Sequence, residues 1–160
     1  SVLHAVDRLA ERGTPVDAVL LLQPTSPLRT ADDVAAVWRA FDPATAPSVI
    51  SVVAAEHAPE IALRGEGEGA LAWAFPAAHA PGADVRRQAF GAAVFPSGAA
   101  YLSTLPLLRE RRAFIVPGVT RGVPLPRERG VDVDTAADLA VADALALRTP
   151  VREFAVGRFR

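Results

Sequence analysis

Three stretches of the chain bring together side chains that could do chemistry, and the first is the loop from Gln23 to Arg29. It directly follows an apolar run at 17–22, and its prolines stiffen it, which lowers the entropy lost on binding. Amide, hydroxyl and guanidinium groups come from Gln23, Thr25, Ser26 and Arg29. Such a loop suits a polyhydroxylated, acidic small molecule, although an ordinary strand-to-helix connection would use the same residue types.

The second stretch holds two aspartates, Asp132 and Asp134, which we expect at the end of a short strand over 131–134. Residues at i and i+2 of a strand point to the same face, so the two carboxylates would repel each other without a cation between them. Mg²⁺ takes oxygen ligands and needs only one or two carboxylates plus phosphates. The alternative is an exposed acidic strand end in which Asp134 favours the positive N-terminus of the following helix.

The third stretch is Arg86-Arg87-Gln88. An arginine pair can clamp a carboxylate or a phosphate bidentately, although loop arginines are often merely solvated. The three histidines, His4, His57 and His79, show no spacing typical of metal ligands.

The elements around these stretches alternate between strand and helix. An amphipathic helix is predicted over 1–12, a buried strand of a parallel sheet over 17–22, a helix from the Thr30 capping box to about Phe41, and a strand over 48–53. Strand, helix and strand form a unit whose default arrangement is a right-handed parallel crossover. The loop after the first strand would then lie at the sheet edge where α/β proteins bind ligands.

The second half of the chain continues this pattern less regularly. The glycines at 65–69 indicate a hairpin tip between two short apolar segments. Further strands are predicted at 99–102, 113–116 and 131–134, and helices at 104–112 and from the Thr135 capping box to about Leu147. The whole predicts an α/β sandwich.

Composition limits the functional classes. The 160 residues fit one domain, and 51% of them are hydrophobic, which excludes a disordered chain. The 17 basic and 18 acidic residues give a net charge of −1, so no nucleic-acid partner is predicted. The chain lacks cysteine, an apolar run of membrane length and a signal-peptide pattern, which agrees with a cytoplasmic protein without membrane contact. It also lacks lysine, so phosphates would have to be held by arginine, metal or backbone N–H groups.

These motifs together resemble the acylneuraminate cytidylyltransferase family, the CMP-sialic acid synthetases and their relatives. The most specific element is 19–30, Val-Leu-Leu-Leu-Gln-Pro-Thr-Ser-Pro-Leu-Arg-Thr, followed by Ser51-Val52, Arg87-Gln88 and the Ser97–Leu102 stretch. The 131–139 segment, with both aspartates, completes the order. The resemblance extends over nearly the whole chain to about residue 147.

The resemblance implies a three-layer α/β/α nucleotidyltransferase fold and a homodimer with 56–96 as a dimerisation or substrate-covering segment. It implies transfer of CMP from CTP to a nine-carbon acidic sugar with release of pyrophosphate. By resemblance Asp132 and Asp134 would hold the Mg²⁺. Sugar-pocket residues would be Gln23, Pro24, Thr25, Ser26, Arg29, Arg87 (toward the partner subunit), Gln88, Tyr101 and Phe114.

The chain departs from the family pattern at three points. The family's Asn-Gly is Ser97-Gly98 here, which alters one polar contact, and the 89–91 segment is unlike the usual version. Residues 1–16 do not resemble the glycine- and lysine-containing loop that wraps the CTP phosphates in the family. We therefore expect an N-terminally truncated domain whose turnover alone is slow or absent. The alternative is a non-catalytic sugar-acid-binding or dimerisation module.

Overall fold

The computed structural model describes residues 2–80 and 91–148, which form four helices and six strands within those ranges. The helices are α1 (Val2–Glu11), α2 (Ala31–Ala40), α3 (Leu105–Arg111) and α4 (Ala136–Ala146). The strands are β1 (Ala18–Leu21), β2 (Ser48–Ala54), β3 (Leu63–Gly65), β4 (Leu71–Trp73), β5 (Val94–Thr104) and β6 (Arg121–Pro124). This is a mixed α/β structure, as the sequence predicts.

The main sheet has the strand order β1-β5-β2-β6. Strand β5 runs antiparallel to both β1 and β2, while β2 and β6 are parallel. Strands β1 and β2 therefore share a direction, as predicted for the first crossover, but β5 lies between them. Local periodicity could not reveal this insertion, because β5 lies about forty residues further along the chain than β2.

The core lies between α2 and one face of the main sheet. Val37 of α2 is fully buried against Val49 of β2 and both Ala100 and Leu102 of β5. Helix α2 begins at a capping box in which the Thr30 hydroxyl accepts from the Asp33 N–H and the Asp33 carboxylate accepts from the Thr30 N–H. This cap fixes where the 23–29 loop ends and the helix begins.

Several predicted elements are confirmed and three are wrong. The helices, both capping boxes and strands β1, β2 and β5 occur where the pattern indicates. However, β1 is half-buried and paired antiparallel, so it is no buried strand of a parallel sheet. Residues 113–116 form a loop, and the strand that follows is β6, which the apolar pattern did not indicate. Residues 131–134 lie outside the sheet.

The predicted hairpin is present as β3 and β4, which pair antiparallel around the glycine-rich tip. Gly67, Glu68 and Gly69 all have positive φ, which accounts for the two glycines. Within the described ranges no helix is long and apolar enough to cross a membrane.

Candidate functional site

The loop between β1 and α2 is shaped by its own arginine. One terminal nitrogen of Arg29 donates to the carbonyl oxygens of Gln23 (2.6 Å), Ser26 (3.2 Å) and Ala99 (3.4 Å). A second turn bond joins the Ser26 N–H to the Gln23 carbonyl at 3.3 Å. Arg29 thus fastens the loop to β5, and this nitrogen is used for positioning rather than for a ligand. Pro24 is exposed, while Gln23 and Thr25 are half-buried.

Gly98 is the point at which the loop meets β5. Its φ is +73°, and a Cβ built there would lie 2.5 Å from Ser26 Oγ, 2.7 Å from Gln23 Oε1 and 3.7 Å from Asp132 Cγ. Only a glycine allows that approach, because any side chain would clash with the loop and strain the backbone. Residues far apart in the sequence, Gln23, Ser26, Gly98 and Asp132, therefore share one polar cluster.

Two contacts hold the 131–134 segment beside the loop. The Val133 N–H donates to the Thr25 carbonyl at 2.8 Å. Just upstream, Arg129 Nε lies 2.9 Å from an Asp33 carboxylate oxygen, and the Asp33 side chain is 4% exposed. The capping residue of α2 therefore also anchors the chain that leads to Asp132. Gly130 allows a further close approach, because a Cβ there would lie 2.2 Å from Val53 Cγ1.

Both predicted metal ligands are exposed, and their carboxylates accept no hydrogen bond from the described residues. The prediction that strand alternation aligns them is wrong, because 131–134 is not a strand. Asp138, not Asp134, makes the capping bonds at the start of α4, accepting from the Thr135 N–H (2.8 Å) and hydroxyl (2.7 Å). These bonds lower the pKa of Asp138, and the bond from the Thr135 hydroxyl has the larger effect. The Asp134 carboxylate is thus left available to a ligand.

Tyr101 lies at the inner side of the cluster and is half-buried. Burial, and then the negative charge of Asp132, raise the pKa of Tyr101, while a hydrogen bond with the Gly98 backbone lowers it. Its ring lies 5.9 Å from that of Phe114, tilted by 56°. Phe114 belongs to the 113–116 loop, and its carbonyl oxygen accepts a hydrogen bond from the buried Ser48 hydroxyl at 2.6 Å.

The donor set suits a hard cation. The carboxylates of Asp132 and Asp134 are exposed, and the amide oxygen of Gln23 lies near Asp132 at Gly98. Within residues 2–80 and 91–148 no group of three or more His, Asp and Glu side chains could hold a metal ion. Two carboxylates are enough for Mg²⁺ when waters and phosphates complete its coordination. The oxygen donors of these residues are of the type that Mg²⁺ takes as ligands.

The prediction missed a set of buried hydroxyls behind the cluster. Ser51 is 1% exposed and Ser97 is 2% exposed, and their hydroxyls are 2.7 Å apart. Ser97 Oγ thus points into the sheet, where the resemblance suggested an altered ligand contact. A lone polar residue within the apolar run Val49-Ile-Ser-Val-Val53 was the available signal, since a buried hydroxyl needs a partner.

A cavity of about 890 Å³ adjoins the cluster without containing it. It lies between the end of β2, the 127–131 segment and α4, with a mainly apolar lining that includes Val53, Phe95 and Val141. The loop residues from Gln23 to Arg29 and the two aspartates do not line this cavity.

Arg86, Arg87 and Gln88 lie outside the described residues, so their predicted roles stay predictions. No known protein-family model matches the chain.

Proposed function

We propose that the chain binds a nine-carbon acidic sugar and CTP at the polar cluster and acts in Mg²⁺-dependent transfer of CMP to the sugar. The observation that carries this proposal is the convergence at Gly98 of Gln23, Ser26 and Asp132. The proposal includes the three-layer nucleotidyltransferase fold and the homodimer that the family resemblance implies. The mixed α/β sheet is compatible with that fold but is shared by many others.

In this proposal each group in the cluster has one task. Gln23 and Thr25 hold the sugar by hydrogen bonds to its hydroxyl groups, and the Arg29 contacts keep that loop in place. The attacking sugar hydroxyl forms a bond to the α-phosphorus of CTP as the bond to pyrophosphate breaks, and the hydroxyl proton passes to solvent water. Asp132 and Asp134 would hold Mg²⁺, which when bound neutralises charge developing on the phosphates.

Tyr101 cannot serve as the base that takes the proton of the sugar hydroxyl. Its pKa is raised from the ordinary value of 10.0, so the phenol stays protonated near neutral pH. We therefore assign Tyr101 to the pocket wall as a hydrogen-bond donor.

The test is CMP-sugar formation from CTP, Mg²⁺ and a panel of sialic acids, which we expect to be slow or absent for this chain alone, with binding of each ligand measured separately. We expect Gln23→Ala to weaken sugar binding and Asp134→Ala to abolish Mg²⁺-dependent CTP binding. Asp143→Ala, an exposed aspartate on α4, is the matched control. Sugar binding without any Mg²⁺-dependent CTP binding would favour the non-catalytic module. Binding of neither ligand would overturn both the proposed function and the non-catalytic alternative.

A further inference from the structure

We propose that Ser51, in the middle of β2, is a positioning residue that sets the geometry of the polar cluster through a bulge in β5. The inference concerns how the cluster is built, and its functional consequence rests on the proposed function. Ser51 touches none of the loop residues from Gln23 to Arg29 by hydrogen bond, so its effect passes through β5.

The bulge interrupts the pairing of β2 with β5. Ile50 is opposite Tyr101, but Val52 is opposite Pro96. A step of two residues along β2 therefore corresponds to a step of five residues along the antiparallel β5. Strand β5 therefore carries three extra residues, and Gly98 lies among them. Extra residues in a bulge lose their ladder partners, so their backbone groups must be satisfied in another way.

Ser51 supplies the missing partner with its side chain. Its hydroxyl accepts from the Ala100 N–H at 2.9 Å and lies 3.2 Å from the Ala100 carbonyl, to which it donates. The Ser97 hydroxyl donates to Ser51 Oγ at 2.7 Å, and Ser97 Oγ in turn accepts from the Ala99 N–H at 3.4 Å. One hydroxyl of β2 thus organises both ends of the bulge in a setting that excludes water.

The bulge then passes this order to the loop. The Ser26 hydroxyl donates to the Ser97 carbonyl at 3.3 Å, and Arg29 donates to the Ala99 carbonyl at 3.4 Å. If the bulge relaxes into regular pairing, both carbonyls move and Gly98 no longer faces Gln23. The distance between the loop and Asp132 therefore depends on Ser51, although the residue lies outside both motifs.

The experiment compares Ser51→Ala and Ser97→Ala with Ser103→Ala as the matched control. Ser103 is equally buried on the same sheet, and among the described residues its hydroxyl bonds only to the neighbouring Thr104 carbonyl, at 3.1 Å. The first readout is amide hydrogen exchange at Val133, whose N–H bonds across the cluster to Thr25. The second is the Kd for N-acetylneuraminic acid.

We expect exchange at Val133 to become about tenfold faster in Ser51→Ala, while the Leu102 amide in the core follows the control. The Kd is expected to rise about tenfold, whereas Ser103→Ala leaves it unchanged. Val133 exchange no faster than in Ser103→Ala would overturn the inference. If Ser51→Ala does not fold, Ser97→Ala decides by the same criterion. Absence of sugar binding in the unmodified chain would refute the proposed function alone, since the exchange result is independent of any ligand.

Discussion

The polar cluster and the β3–β4 hairpin are two regions of the described structure that are built in opposite ways. In the cluster and directly behind it, Ser26, Ser51 and Ser97 are almost completely buried and each has a hydrogen-bond partner. In the hairpin, Leu71 is 66% exposed and Trp73 is 44% exposed. The first region buries polar groups inside the protein, and the second exposes apolar groups to solvent.

The difference shows how side chains of a binding site are held in precise positions. Ser26 of the cluster and the neighbouring Arg29 are each bonded both to their own loop and to β5. The hairpin is held mainly by its own pairing and by the stacking of Trp73 on His79, with ring centroids 3.7 Å apart. A ligand site needs the first kind of construction, because small displacements of the binding groups weaken binding strongly.

The largest expected effect comes from placing a side chain at the junction of the cluster. Gly98→Ala should destabilise the fold by about 2–3 kcal/mol and displace Gln23, because it combines positive φ with a clash against buried Ser26. Gly69→Ala is the matched hairpin variant, since its φ is +82° but no atom lies within 4 Å of the added Cβ. It should cost about 1 kcal/mol. Equal losses in chemical denaturation would contradict the difference between the two regions.

A smaller loss is expected when the anchor of the 131–134 segment is cut. Arg129→Gln leaves the nearly buried Asp33 carboxylate without its cation, although both Thr30 bonds remain. We expect a loss of about 1–2 kcal/mol in free energy of unfolding, since Arg129 itself is partly solvated. Arg109→Gln, which breaks an exposed pair with Asp7, should change it by less than about 0.5 kcal/mol. If Arg129→Gln lowered the free energy of unfolding as little as Arg109→Gln, the buried Asp33 carboxylate would need no cation.

The electrostatics of the cluster can be read from Tyr101, the only tyrosine in the chain. Its phenol should titrate above 10.0, and Asp132→Asn should lower that midpoint without restoring the ordinary value, because burial is the larger cause. Since the folded pKa is raised, the associated stability is present below the unfolded pKa and is lost as pH rises through the folded one. Absorbance of the tyrosinate measures the midpoint. An unchanged midpoint in Asp132→Asn would show that the charge of Asp132 does not affect the pKa of Tyr101. Asp143→Asn serves as the control.

The smallest effect is expected in the hairpin. Leu71→Ser should change the free energy of unfolding by about 0.5 kcal/mol or less, because the side chain is already mostly in water. The measurement should be repeated at several protein concentrations. A large, concentration-dependent loss would show that an assembly buries the hairpin, which would remove the contrast between the two regions.

Much of this organisation could be predicted from sequence because it depends on near neighbours. Thr30 with Asp33 and Thr135 with Asp138 predict helix starts by spacing alone, and both capping boxes are present. The glycines at 65–69 predict the hairpin for the same reason. The loop from Gln23 was placed correctly at the end of β1 because an apolar run and two prolines define its limits.

The failures share one cause, which is that pairing partners lie far away in the chain. Ala113–Val116 is as apolar as a strand, yet it forms a loop, and the less apolar β6 pairs with β2 instead. The pattern predicts aspartates alternating along a strand at 131–134, but the segment lies outside the sheet, where the Val133 N–H bonds to the Thr25 carbonyl. Periodicity describes how a segment could be buried, whereas pairing depends on which partner edge remains open.

The sequence by itself determined the helix caps, the hairpin tip and the chemical types available to a site: carboxylates, one loop amide, hydroxyls and arginines, with no lysine or cysteine. Only the tertiary structure decided that β5 inserts between β1 and β2 and bulges there. That bulge brings Gly98 against Gln23, Ser26 and Asp132. The physical reason is that local spacing fixes local hydrogen bonds, whereas a buried hydroxyl such as Ser51 finds its partner only when distant strands meet.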